Sequence, residues 1–195
     1  MDTVPTPSQT IGPFFHFSLT TAEHCVRCIA GPQTRGERVW LLCRVLDGEG
    51  APVPDAMIEI WQADAEGHYR SAGDVQGDVQ NNAVDPAWRG FGRLATGEDG
   101  SCEFETVKPG RVLGPGNVFQ SPHVEVAIFA RGILKQLSTR IYFANDPANQ
   151  EDPVLQLVPQ ERRATLMAQP DPGRPGHWRF DVHLQGEQET VFFNV

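Results

Sequence analysis

The chain has 195 residues, 39% of them hydrophobic and 21% charged, enough for one well-packed domain and short for two. Its formal net charge of −9 argues against nucleic acid or an anionic membrane surface as a partner; an anionic substrate would need local arginines to oppose that field. No stretch reaches the length of a membrane span, and no basic segment followed by an apolar one opens the chain. The expectation is therefore a cytoplasmic protein whose cysteines, Cys25, Cys28, Cys43 and Cys102, remain thiols.

The first notable stretch is "TPSQTIGPFF", residues 6–15, in which Ile11, Phe14 and Phe15 surround Gly12 and Pro13 without helical or strand alternation. Chain ends are usually polar, so an apolar, proline-stiffened arm calls for a surface to cover. Residues 1–36 read as this arm plus an irregular segment, and 37–195 as a β-sandwich. Cys25-Val26-Arg27-Cys28 is a lone C-x-x-C, lacking the second ligand pair of a zinc site and the βαβ context of a redox motif.

In "RVWLLCRVL", Val39, Leu41, Cys43 and Val45 share one face of a predicted strand. "AMIEIWQAD" is a second, with Ile58 and Ile60 on one face and Met57 and Trp61 opposite. From Gly67 to Gly90 the pattern dissolves into a long surface excursion, the kind of loop that tends to carry function. "FGRLAT" and "SCEFETV" read as a hairpin about Asp99-Gly100. "HVEVAIFA" and "STRIYFA" are strands joined through Arg131-Gly132. Pro159 opens the one predicted helix, which must end before Pro170. "HWRFDVHL" alternates cleanly, and "ETVFF" reads as a closing strand. Short strands between turn signals predict an all-β, antiparallel β-sandwich with one short helix.

Two polar residues stand out on the histidine strand. His123 and Glu125 are two apart and leave the same face, so an imidazole and a carboxylate could share a metal; a half-exposed strand face with two polar residues is the simpler alternative. Tyr69 follows the second strand at the mouth of the long loop.

"DGEGAPVPDAMIEIWQADAEGHY", "FGRLATGEDG", "VKPG" and the histidine strand occur in an order that resembles the intradiol ring-cleaving dioxygenases. That resemblance implies a β-sandwich and, in the family's iron-bearing chains, a ferric ion held by two tyrosinates and two histidines. Tyr69 matches the first tyrosine and His123 the first histidine, whereas the second tyrosine falls on Val112 and the second histidine on Glu125. Valine offers no lone pair. The only other tyrosine, Tyr142, lies on a different strand, and nothing in the pattern brings it near. No iron or other metal is therefore expected in this chain.

"TPSQTIGPFF", "STRIYFAND", "DPVLQLVPQERRATLMA" and "RFDVHLQGEQETVFF" resemble the family's iron-free α chains. The resemblance implies a homologous, Fe(3+)-bearing β chain as partner, with the active site between the two and the pairs assembled into larger oligomers. It implies 3,4-dihydroxybenzoate and O2 as substrates. It further implies that Thr10, Gly12, Pro13 and Phe14 wall the partner's substrate pocket, and that Arg131 reaches it to meet a carboxylate. Arg140, mid-strand, suits a cross-strand salt bridge instead. Two rival readings remain: a self-sufficient metalloenzyme using Tyr69, His123 and Glu125, and a catalytically silent binding or scaffold sandwich.

Overall fold

The computed structural model describes residues 15–70 and 88–194. Among these residues ten strands run in chain order: β1 Arg38–Leu46, β2 Met57–Trp61, β3 Phe91–Ala95, β4 Ser101–Val107, β5 Val112–Leu113, β6 Phe119–Gln120, β7 His123–Phe129, β8 Leu137–Phe143, β9 Met167–Pro170 and β10 His177–His183. Eight of them form one sheet in the order β3-β2-β7-β8-β9-β10-β1-β4, and β5 and β6 form a separate hairpin. β9 joins the two layers, pairing with β8 through Met167 and Ala168 and with β10 through Gln169 and Pro170. Alternation makes the layers face one another: Leu41, Cys43 and Val45 from β1 meet Ile58 and Ile60 from β2 in one apolar core.

The expected sandwich is present, and the strands refine it in three ways. The β1–β10 and β8–β9 ladders are parallel, so the sheet is mixed. The predicted hairpin of "FGRLAT" and "SCEFETV" does not form: β3 pairs with β2 and β4 with β1. The turn still closes, with Gly100 N donating to Gly97 O at 2.8 Å, but the strands then separate into opposite layers. A Cβ on Gly92 would sit 3.0 Å from Phe104, so β3 and β4 face each other across the core.

The segment placed in the irregular N-terminal region fills the gap between those edges. Val26 bridges to Arg93 on β3, and Cys28 to Glu105 on β4. Val26 N donates to Arg93 O at 2.8 Å and Glu105 N donates to Arg27 O at 3.0 Å. This backbone pairing satisfies both open edges and nearly closes the sheet into a barrel. Cys25 and Cys28 are free thiols flanking the seam.

The predicted helix is a 3₁₀ helix, Gln160–Leu166, ending directly in β9. The predicted closing strand "ETVFF" is only extended chain: Phe193 makes a single bridge to Ser138, and Val191 N is taken by the Thr165 hydroxyl at 3.2 Å. Side-chain acceptors there replace a ladder.

Candidate functional site

Local backbone chemistry sets Tyr69 in place. The Asp64 carboxylate accepts from Glu66 N and His68 N, each at 2.9 Å, making a tight turn. Gly67 follows at φ +89°, and a Cβ there would overlap the Arg111 carbonyl oxygen; only glycine allows this approach. Gly110 N donates to Asp64 O at 2.8 Å. The Gly67-His68-Tyr69 and Lys108-Pro109-Gly110 elements, separate in sequence, are thus locked together.

Tyr69 then meets the β7 face. Its hydroxyl is 3.3 Å from His123 Nε2, and its ring lies parallel to Trp61 with centroids 6.3 Å apart. His123 Nδ1 is 2.7 Å from the Ser121 carbonyl. A carbonyl can only accept, so Nδ1 carries a proton, and Nε2 is the nitrogen turned toward the Tyr69 hydroxyl.

Glu125 Oε1 lies 3.5 Å from His123 Nε2 and 2.6 Å from Arg140 Nη2. Arg140 Nη1 donates to Gln120 Oε1 at 2.7 Å. The β7–β8 register dictates this pairing: Glu125 stands opposite Arg140, and His123 opposite Tyr142. The cross-strand salt bridge expected for Arg140 is formed. Nothing in the sequence pattern brings Tyr142 near the histidine, yet the β7–β8 register sets their rings 6.0 Å apart. Tyr142 is nevertheless fully buried, and its hydroxyl donates to Asp152 Oδ1 at 3.1 Å. Asp152, itself buried, also accepts from Ser121 N at 2.7 Å and Leu155 N at 2.7 Å, which anchors the start of β7.

Charge follows this geometry. Burial pushes the Glu125 carboxyl up, but the His123 contact and the Arg140 cation outweigh it and hold it below its ordinary value. Burial, reinforced by Glu125, raises the Tyr69 phenol to about 12, so Tyr69 stays protonated at neutral pH. Burial likewise raises Tyr142. Val112 is buried beside this cluster, opposite Gln120 on the β5–β6 ladder.

These residues do not fit a ferric ion. Where the resemblance implies two tyrosinates and two histidines, this chain offers one protonated phenol, one imidazole, a valine without a lone pair, and a carboxylate paired with arginine. A guanidinium 2.6 Å from Glu125 supplies the positive charge this face needs, and a second cation would meet its repulsion. Tyr69, His123 and Glu125 are thus brought together, but as an ion-paired network. Glu125 and Arg140 line an open groove of ≈ 630 Å³ with Glu59, Trp61, Phe91 and Phe193.

Arg131 sits elsewhere. It follows β7 on the Ala130–Ile133 turn, beyond the end of the strand opposite to His123. Its side chain is 59% exposed, and its Nε is 3.0 Å from Asp55 Oδ2. Thr10, Gly12, Pro13 and Phe14 lie outside the described residues. Sequence reasoning missed Gln120, Asp152 and Asp55; nothing local marks them, because each acts through a partner distant in the chain.

Fold and site together define a nearly closed β-sandwich with a polar Tyr–His–Glu–Arg cluster, of which Glu125 and Arg140 line a groove. The dioxygenase family model matches residues 10–186, and the chain belongs to the intradiol ring-cleavage dioxygenase family. It is 44% identical to the protocatechuate 3,4-dioxygenase alpha chain of Burkholderia cepacia, over 97% of each chain. The beta chain of that organism's protocatechuate 3,4-dioxygenase is 31% identical, over 94% of this chain and 77% of the beta chain. Among solved structures, the dioxygenase domain of a dioxygenase carbohydrate-binding protein fusion from Streptomyces sp. SirexAA-E superposes with a TM-score of 0.62 at 26% identity, over 94% of this chain and 99% of that one.

Proposed function

We propose that this chain is the iron-free α subunit of a protocatechuate 3,4-dioxygenase, completing the substrate pocket of a homologous, iron-bearing β subunit. The assembled enzyme takes 3,4-dihydroxybenzoate and O2 to 3-carboxy-cis,cis-muconate. The observation that carries this reading is the combination of end-to-end likeness to an alpha chain with an Arg140–Glu125 ion pair at the residue that the resemblance aligns with a metal-binding histidine. Iron is assigned to the partner because the donors here are chemically wrong for it.

This chain's share of the work is binding. Arg131 stays charged and presents a planar fork of donors suited to a benzoate carboxylate. Its place at the far end of β7 from the Tyr69 cluster suits a pocket that belongs to another chain. Thr10, Gly12, Pro13 and Phe14 are assigned to the wall of that pocket by the family resemblance. In a chain of net charge −9, a local cation is needed to admit an anionic substrate.

Metal analysis and visible absorbance, on this chain alone and after co-expression with its β partner, test the assignment. A colourless, iron-free chain that becomes part of a coloured, active complex is the expected result. A tyrosinate charge-transfer band in the isolated chain would overturn it. For the complex, Arg131→Ala should lower kcat/KM toward 3,4-dihydroxybenzoate by an amount equivalent to ~2 kcal/mol, as for a charge-assisted hydrogen bond. Unchanged turnover would place the carboxylate contact elsewhere.

A further inference from the structure

Arg131 is held by more than its own turn. Ile133 N donates to Ala130 O at 3.3 Å, closing the turn, and Gly132 adopts φ +83° with open space where a Cβ would be. Backbone conformation, not crowding, therefore requires the glycine. This fixes the Cα of Arg131, but an arginine side chain still has many rotamers to lose on binding.

Asp55 removes much of that freedom. It lies in the β1–β2 connection with φ +60°, a left-handed conformation that aspartate and asparagine tolerate better than most residues. Buried Thr96 secures the turn on either side of it. The Thr96 hydroxyl donates to Val53 O at 2.9 Å, and Thr96 N donates to Ala56 O at 2.8 Å. From this fixed base the Asp55 carboxylate contacts Arg131 at Nε, 3.0 Å away. An approach through Nε leaves the terminal fork of the guanidinium for a second carboxylate.

We infer that Asp55 is a positioning residue for Arg131: it holds the guanidinium by one edge so that the other is presented to the substrate carboxylate. The inference rests on the role assigned to Arg131 above. A carboxylate beside the cation weakens its net attraction for an anion. What Asp55 contributes instead is an ordered guanidinium, so less entropy is lost when substrate binds.

The test uses the co-expressed complex and two substrates, 3,4-dihydroxybenzoate and catechol, which lacks the carboxylate. Asp55→Asn and Asp55→Gly both tolerate a left-handed backbone, and both remove the charge. Each should raise KM for 3,4-dihydroxybenzoate about two- to five-fold, the range of an exposed ion pair, with kcat held and catechol kinetics unchanged. In an Arg131→Ala background the same replacements should add nothing. If Asp55→Asn leaves KM unchanged or lowers it while Arg131→Ala is strongly impaired, the positioning role fails and the assignment of Arg131 survives. If Arg131→Ala is itself silent, that assignment fails, and the positioning role fails with it.

Discussion

Arg140 stands directly opposite Glu125 on the β7–β8 ladder and closes a 2.6 Å ion pair with it. The pair places a fixed cation on the sheet face that carries His123 and Tyr69. A half-buried carboxylate, phenol and imidazole must each be neutralised or hydrogen-bonded. Here one guanidinium and two hydrogen bonds do so.

Arg140→Met should therefore destabilise the protein by about 1–2 kcal/mol. That is less than the cost of breaking a deeply buried pair, because Glu125 keeps part of its surface in water. The double replacement Glu125→Gln, Arg140→Met should recover part of the loss, since no charge is then left unpaired. Chemical denaturation of the four corners of this cycle gives the coupling. Strictly additive losses would mean that the pair contributes nothing.

Because the folded-state value of Glu125 lies below its ordinary 4.5, its contribution to stability is present above that pH. It is lost as pH falls through the depressed value, when the carboxylate takes up a proton and releases Arg140. Denaturation midpoints of the wild type should thus drop more steeply below about pH 4.5 than those of Glu125→Gln. Parallel pH profiles would show that other carboxylates control the acid limb.

Gly67→Ala should be among the most damaging single replacements near the site. The added methyl is forced against the Arg111 carbonyl oxygen, a backbone atom, at a φ of +89°. A loss of about 2–4 kcal/mol is expected, from strain and displacement of the turn together. Tyr69 should shift with it, visible as altered fluorescence of Trp61, which lies parallel to it.

The four cysteines should divide by depth. Burial raises the Cys43 thiol well above its ordinary value, and burial with the nearby Cys25 raises Cys102 to about 12, whereas Cys28 is exposed. In the native protein at pH 8, a thiol reagent should label Cys28 rapidly and Cys43 and Cys102 only on unfolding, since the thiolate is the reactive species. Rapid labelling of all four would mean that the seam around Val26 opens easily.

Some elements are fully legible in the sequence. The alternation of Val39, Leu41, Cys43 and Val45 defines β1 across Arg38–Leu46, because a period of two is imposed by the pleat alone. That His123 and Glu125 share a face follows from the same rule. The register is not legible in the same way. A two-residue turn at Arg131-Gly132 would set His123 opposite Arg140; the longer connection instead sets Glu125 there. Both registers keep the same side chains on the same face, so the pattern cannot choose between them.

Turn chemistry misleads for a related reason. Gly97–Gly100 closes as a hairpin turn would, yet β3 and β4 part, because the 26–29 segment pairs with both edges. A turn is decided by its own residues, whereas strand partners are chosen by whatever else in the chain can satisfy an edge. β9 escapes notice because Met167–Pro170 has too few residues to show a period.

By itself, then, the sequence determined which donor groups the chain has to offer: a valine has no lone pair in any fold, and a glutamate brings a carboxyl group wherever it is placed. It also determined which faces turn inward, since that is local geometry. Only the tertiary structure decided which cation meets Glu125, what holds Arg131, and how the open edges are closed. Each of those contacts joins residues distant in the chain, and their pairing is set by competition among many long-range partners once the core has condensed.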